Sequence, residues 1–120
     1  MSKARQKGTA WEVELVPLLR DLFGPQVERA PLRGTQDRGD FTGTPMLVEA
    51  KNTQKPLFQA WARTCAKKAP RWVVIWKGDR RRSDPGEGPF VLQPLSQWQE
   101  DQRIIEGIAA ANTRWERVDL

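Results

Sequence analysis

The sequence predicts an α/β domain in which a central mixed β-sheet is flanked by helices. Two observations support this prediction: apolar residues recur at helical spacing in some segments and form strand-like runs in others, and the segments follow the order helix, three strands, helix, two strands, helix. The 120 residues suit one hydrophobic core. We therefore interpret residues 1–120 as a single domain in which residues 1–8 form a loose basic arm.

The first helix is predicted in the segment TAWEVELVPLLRDLFG, residues 9–24. Its apolar residues have helical spacing, and Thr9 with Glu12 matches a capping box. The Gly-Pro pair at its end is a stop signal. Pro17 removes one helical hydrogen bond, so we expect either a kink there or a helix that starts near Pro17.

Short strands and two further helices are predicted after the first helix. The first three strands are placed at residues 26–30, 40–42 and 46–51, with a basic loop at 31–39 and a turn at Gly43-Thr44. An amphipathic helix follows in PLFQAWARTCAKKA. The later predictions are a fully buried strand at 72–76, an exposed loop at 77–89, a strand at 90–92, a helix from the capping box Ser96–Gln99 to Ala111, and a last strand in RWERV.

The composition excludes several kinds of catalytic site. The chain contains no histidine and one cysteine, Cys65, so it has no Ser-His-Asp triad, no histidine base, no multi-cysteine zinc site and no internal disulfide. A bound metal must then use oxygen ligands, which favours Mg²⁺, Mn²⁺ or Ca²⁺. We expect a cytoplasmic protein without a membrane partner, since the sequence shows neither a long apolar run nor a secretory signal.

The charge distribution favours a nucleic-acid partner. Lys and Arg exceed Asp and Glu by 20 − 15 = 5. A basic surface with a few carboxylates suits binding to a phosphate backbone, and the alternative is a basic protein without such a partner. The basic residues cluster at Lys3, Arg5 and Lys7, at Arg29, Arg33 and Arg38, and at Lys77, Arg80, Arg81 and Arg82.

Asp40, Glu49 and Lys51 are charged residues in a segment that is otherwise mostly apolar or small. Residues two apart on a strand face the same way, so Glu49 and Lys51 share a face with Leu47, while Val48 faces the core. A hairpin folded about the Gly-Thr turn would oppose Asp40 to Leu47 and place it diagonal to Glu49, about 7–8 Å away. A cation can bridge carboxylates at that separation, and the lysine could orient an attacking water. The alternative is a solvated Glu-Lys pair, with Asp40 as a turn residue.

Three motifs in this order resemble a nuclease family. GD…VEAK, residues 39–51, resembles the PD-(D/E)xK nuclease signature, with Gly39 where a proline often stands. KGTAWE (7–12) and ERAPLRGT (28–35) resemble the first helix and the following strand and basic loop of the archaeal-type Holliday junction resolvases. The resemblance extends over residues 5–76.

This resemblance implies a restriction-endonuclease-like core that hydrolyses phosphodiesters of branched DNA with Mg²⁺, or with Mn²⁺ as a substitute. It also implies a homodimer, because a four-way junction needs two symmetric cuts. Asp40, Glu49 and the Ala50 carbonyl would hold the metal, and Lys51 would position or activate water. Glu12 would be a further ligand, direct or through water; alternatively it only completes the capping box.

The predicted DNA contacts combine the basic clusters with the resemblance, which places Arg29 and Thr35 near DNA. The predicted contacts are Arg5, Lys7, Arg29, Arg33, Thr35, Arg38, Arg80, Arg81 and Arg82. The arginine run is equally compatible with a solvated loop. Two other functions stay open: a nuclease of the same fold acting on flaps, nicked duplex or a restriction site, and a DNA-binding module that does not cut. A phage-encoded protein acting in the host cytoplasm would fit, although the sequence does not show its source.

Overall fold

The computed structural model of the chain describes residues 3–31, 39–78 and 88–118. Its elements follow the predicted order of helix, three strands, helix, two strands and helix. They are α1 (Lys3–Phe23), β1 (Glu28–Arg29), β2 (Phe41–Thr42), β3 (Leu47–Lys51), α2 (Phe58–Lys68), β4 (Trp72–Trp76), β5 (Phe90–Leu92) and α3 (Leu95–Val118).

A mixed three-stranded sheet forms the centre of the fold, which confirms the predicted α/β class with flanking helices. The strand order is β3-β4-β5, in which β4 runs parallel to β3 and antiparallel to β5. Helix α2 makes the crossover that a parallel pair of strands requires. Strands β1 and β2 form a separate antiparallel pair, with Arg29 opposite Phe41.

Both faces of the sheet are covered by apolar clusters. On the α1 face, the buried residues are Trp11, Leu15, Leu19, Val27, Phe41 and Val48. On the α2 face, they are Leu47, Trp61, Cys65, Trp72, Val74 and Trp76. The predicted alternation along β3 is confirmed, because Val48 and Leu47 belong to different clusters. The face that holds Glu49 is also covered, so Glu49 is 6% exposed rather than solvated.

Two of the N-terminal predictions are wrong, and of the two alternatives for Pro17 the structure excludes a helix that starts there. Helix α1 already begins at Lys3, so residues 3–8 are helical and the predicted loose arm is wrong there. Their Lys, Ala, Arg and Gln residues are good helix formers, which explains the extension. Thr9 therefore lies inside the helix and does not cap it. Pro17 also lies inside α1 rather than near its start, because burial of Trp11, Leu15 and Leu19 on one face outweighs one lost hydrogen bond.

The predicted hairpin of Asp40–Thr42 with Met46–Lys51 is also wrong. Strand β2 pairs with β1, and the described strands contain no β2–β3 ladder. Asp40 is opposed not by Leu47 but by Val48, whose carbonyl accepts its N–H at 2.9 Å. The Asp40 carbonyl accepts the Ala30 N–H at 2.8 Å, so this residue links the two sheets instead of starting a hairpin.

The C-terminal segment is one helix from Leu95 to Val118, so the predicted strand RWERV and the capping box at Ser96 are wrong. Gln97 anchors its first turn. The buried Gln97 amide accepts the Trp72 N–H at 3.1 Å and donates to the Trp72 carbonyl at 3.0 Å. If β5 continued, its next hydrogen-bonded residue would pair with the Trp72 backbone. Pro94 cannot donate such a bond, and the Gln97 side chain takes its place. Trp98, in the first turns of this helix, is 49% exposed.

Several predictions fall outside the described residues. They concern the DNA contacts Arg33, Thr35, Arg38, Arg80, Arg81 and Arg82. Within the ranges that are described, the helices are too short or too polar to cross a membrane.

Candidate metal site and the charged residues around it

Asp40 is held in place by its backbone and by the glycine before it. Its N–H and C=O bond to Val48 and Ala30, as described above. Gly39 has φ of +93°, and a Cβ at that position would lie 2.8 Å from the Val48 carbonyl oxygen. Proline has φ near −65° and cannot adopt this conformation. The glycine in place of the motif's proline therefore follows from how closely this segment approaches β3.

The Asp40 carboxylate lies at the edge of β3 beside Glu49. Its Oδ2 accepts the Ala50 N–H at 2.7 Å. Burial, followed by the charge of Glu49, raises the pKa of Asp40 to about 7, although the Ala50 N–H opposes this shift. The two carboxylates are also close enough to share a hydrogen bond when one is protonated. The predicted proximity of Asp40 and Glu49 thus agrees with the structure, although the predicted hairpin does not produce it.

The Ala50 carbonyl points toward the same edge. The Leu47 N–H and the Lys51 carbonyl both bond toward β4, to Arg71 and Lys77. The Val48 carbonyl and the Ala50 N–H bond instead to Asp40. Since the two backbone groups of a residue in a parallel ladder point to the same side, the Ala50 carbonyl lies on the Asp40 side of β3.

Glu49 is neutralised by a lysine that the sequence analysis missed. The Lys68 Nζ lies 2.9 Å from Glu49 Oε1, and the two side chains are 21% and 8% exposed. A signal for Lys68 was present in the sequence: it follows the buried Trp61 by seven residues and the buried Cys65 by three, so it belongs to the inner face of α2. A lysine on the buried face of a helix needs an anionic partner.

Lys51 lies on the same strand face as Glu49 and is half-buried. The Cys65 thiol shows how these charges are grouped. Its pKa is raised, first by burial and then by Glu49, while Lys68 and Lys51 oppose the shift and Asp40 adds to it. The charges of all four side chains therefore act on this buried thiol. Cys65 is 1% exposed and belongs to the apolar cluster on the α2 face.

Glu12 approaches the carboxylate pair from α1 but interacts with Arg29. The Arg29 Nε lies 3.7 Å from Glu12 Oε1, beyond hydrogen-bond distance. Burial raises the pKa of Glu12, the Arg29 charge opposes this, and the Glu49 charge adds to it. The Arg29 Nε is buried and has no hydrogen-bond partner within the described parts of the chain.

The donor set fits a hard divalent cation with few protein ligands. Among residues 3–31, 39–78 and 88–118, no group of three or more His, Cys, Asp or Glu side chains is arranged to hold a metal ion. Two carboxylates and one carbonyl lie at the β3 edge, where burial and the charge of Glu49 raise the pKa of Asp40. Mg²⁺ commonly uses one or two carboxylates, with water and substrate phosphate completing its shell.

Some of the predicted DNA contacts lie in described parts of the chain, and those on α1 lie near this site. Arg5 and Lys7 are exposed on the first turns of α1. The Lys7 carbonyl accepts a 3.3 Å hydrogen bond from Asn52, the residue after Lys51, so this part of α1 adjoins the end of β3. Lys77, from the third basic cluster, instead pairs with Glu14 at 2.8 Å. Gln59 is exposed on α2.

Comparison with known proteins adds no relative from which a function could be transferred. No protein-family model, no curated protein and no solved structure matches this chain.

Proposed function

We propose that this protein is a Mg²⁺-dependent, structure-specific DNA endonuclease with a restriction-endonuclease-like core, and that it acts as a homodimer on four-way junctions. The observation that carries the proposal is the Asp40–Glu49 pair at the edge of β3. Burying two adjacent carboxylates is unfavourable unless one of them is protonated or a cation lies beside them. Such a pair, beside a strand lysine, is suited to phosphodiester hydrolysis.

Each residue has a defined task in this proposal. Asp40, Glu49 and the Ala50 carbonyl would hold Mg²⁺, which when bound supplies stabilisation of the phosphate charge and a lowered pKa of the attacking water. The Lys51 ammonium would orient that water against the phosphate. Glu12 would contact the metal shell through water, since its carboxylate is turned toward Arg29. No histidine is needed, and the chain has none.

The basic charge supports DNA as the substrate. The net charge is +5, and the exposed Arg5 and Lys7 lie next to the end of β3 that carries Lys51. The Arg29 guanidinium, which is partly exposed beside Glu12, would contact a phosphate oxygen. The choice of a four-way junction, and of a dimer that cuts it symmetrically, depends on the resemblance of the three motifs.

The test compares labelled four-way junction, flap, nicked duplex, plain duplex and single strand, each in Mg²⁺ and in Ca²⁺. Wild type and Lys51→Ala are measured side by side for cleavage and binding. We expect paired cuts on the junction in Mg²⁺ and loss of cutting, but not of binding, in the variant. Equal cutting of flap or duplex would contradict the junction assignment and leave a nuclease with another substrate.

A second candidate is a DNA-binding module that does not cut. The Glu49–Lys68 ion pair favours it, because this contact neutralises Glu49 without a metal. Tight junction binding with no cleavage in Mg²⁺ or Mn²⁺ would establish this candidate and contradict the nuclease.

A further inference from the structure

We propose that Lys68 competes with the divalent cation for Glu49, and that this competition sets the metal affinity of the site. The inference depends on the proposed function, since it assumes that the Asp40–Glu49 pair binds a cation. It assigns a regulatory role to a residue that lies outside the nuclease-like motif.

Lys68 is a counter-ion of Glu49. Its ammonium contacts Glu49 Oε1 at 2.9 Å from the last turn of α2. Glu49 is 8% exposed at its side chain and has little access to bulk water. The ammonium is therefore its cationic partner, and it contacts the carboxylate that a metal would need.

A bound metal and the Lys68 ammonium would compete for the Glu49 carboxylate. A divalent cation between Asp40 and Glu49 would be held a few ångströms from the Lys68 Nζ, where burial weakens the screening of like charges. Lysine has a compact charge on a flexible four-carbon stem, so it can withdraw without backbone movement. The favourable response to metal binding is withdrawal of the ammonium from Glu49.

The structure provides space for this movement. Lys68 lines a cleft of about 370 Å³ together with Thr44, Pro45, Leu47 and Arg71. The cleft is open to solvent, and the Lys68 side chain is already 21% exposed. The ammonium can therefore be rehydrated there when it leaves Glu49.

The first test is a Mn²⁺ titration by calorimetry at pH 8, without DNA, on wild type, Lys68→Met, Lys68→Arg and Lys67→Met. Lys67 is the matched control, because it is the exposed neighbour on the same helix. We expect Lys68→Met to bind Mn²⁺ at least about tenfold more tightly, and Lys68→Arg and Lys67→Met to resemble wild type. Equal affinity in Lys68→Met and wild type would overturn the competition and leave the nuclease intact. No Mn²⁺ binding by either would instead contradict the metal site on which the proposed function depends.

A second measurement uses wild type and does not require a stable variant. Brief acetylation with acetic anhydride, followed by peptide mass spectrometry, reports how exposed each lysine amine is. We expect Mn²⁺ to increase the modification of Lys68 severalfold while the exposed Lys55 and Lys67 stay unchanged. Unchanged Lys68 reactivity at a Mn²⁺ concentration that saturates the calorimetric site would overturn the proposal.

Discussion

Two Glu–Lys ion pairs lie on opposite sides of the sheet and have nearly the same length. On the α1 side, Lys77 Nζ is 2.8 Å from Glu14, and on the α2 side, Lys68 Nζ is 2.9 Å from Glu49. Their environments differ at the carboxylate. The Glu14 side chain is 52% exposed, whereas that of Glu49 is 8% exposed and lies beside the second carboxylate of Asp40.

This difference shows which pair needs a functional explanation. The Lys77 side chain is 11% exposed, but its partner Glu14 is largely in water, so loss of this contact leaves no buried carboxylate and the pair should contribute about 0–1 kcal/mol. For a buried pair, the cost of removing two charges from water often exceeds their attraction, and apolar residues can be equally stable. Stability alone therefore does not account for Glu49 and Lys68 beside the apolar cluster on the α2 face, and the proposed cation site would give Glu49 a function.

The largest expected effect is on stability when one partner of the buried pair is removed. Lys68→Met leaves the Glu49 charge buried and should lower the free energy of unfolding by about 3–5 kcal/mol, whereas Lys77→Met should cost less than about 1 kcal/mol. Urea denaturation of both variants measures this. The double variant Glu49→Gln/Lys68→Met should recover most of the loss, and equal losses in the two single variants would remove the distinction between the pairs.

The next effect is on cleavage. Glu49→Gln removes a carboxylate from the proposed metal site and should reduce single-turnover junction cleavage at least about a hundredfold, since even indirect metal partners cost 10–100-fold. Glu14→Gln is the matched control and should cut like wild type. A Glu49→Gln protein that cuts at the wild-type rate would show that the buried carboxylate is not part of the reaction.

The next prediction concerns how the free energy of unfolding depends on pH through Asp40, the second carboxylate beside Glu49. The pKa of Asp40 is raised from 3.8 to about 7 by burial and by Glu49. Between these values the folded state keeps a proton that the unfolded state loses, so the stability contribution is present at low pH and is lost as pH rises toward 7. We expect wild type to lose on the order of 1–3 kcal/mol more than Asp40→Asn between pH 4 and pH 7.5 without metal. Parallel pH profiles for the two proteins in urea denaturation would contradict the raised pKa.

The smallest expected effect is on the stability of a variant at Gly39, where the chain approaches the edge of β3. Gly39→Ala should cost about 1–2 kcal/mol, because φ of +93° is strained for alanine and its Cβ would meet the Val48 carbonyl. Gly107→Ala in α3 meets no atom within 4 Å and should instead stabilise by about 0.5–1 kcal/mol. Thermal denaturation compares the two. A neutral Gly39→Ala would mean that this close approach does not fix Asp40.

The sequence predicted what depends on local periodicity. Alternation along β3 placed Leu47 and Val48 on opposite faces, and the order of the eight elements followed from their apolar patterns. Helix ends were less predictable. The predicted caps at Thr9 and Ser96 are inside helices. In α1, burial of Trp11, Leu15 and Leu19 on one face and the good helix formers before Thr9 outweigh the capping motif. In α3, the helix begins one residue before Ser96, at Leu95.

The sequence predicted which residues form the candidate site, but not how the chain brings them together. The proximity of Asp40 to Glu49 was expected from a hairpin, but it results from a link through Ala30, Val48 and Ala50. Such long-range partners have no signature in local sequence. Lys68 could have been found by following the buried face of α2, since its spacing from Cys65 places a charge where only a paired one is tolerated.

The most direct test of the central claim, that a divalent cation binds between Asp40 and Glu49, is local chain cleavage by Fe²⁺. Iron bound in place of Mg²⁺, with ascorbate and peroxide, cuts the backbone near the site that holds it. The account predicts cuts close to residues 40 and 49–50 in wild type and in Glu14→Gln, suppressed by excess Mg²⁺ and absent in Asp40→Asn. Cuts elsewhere, or the same cuts in Asp40→Asn, would contradict it.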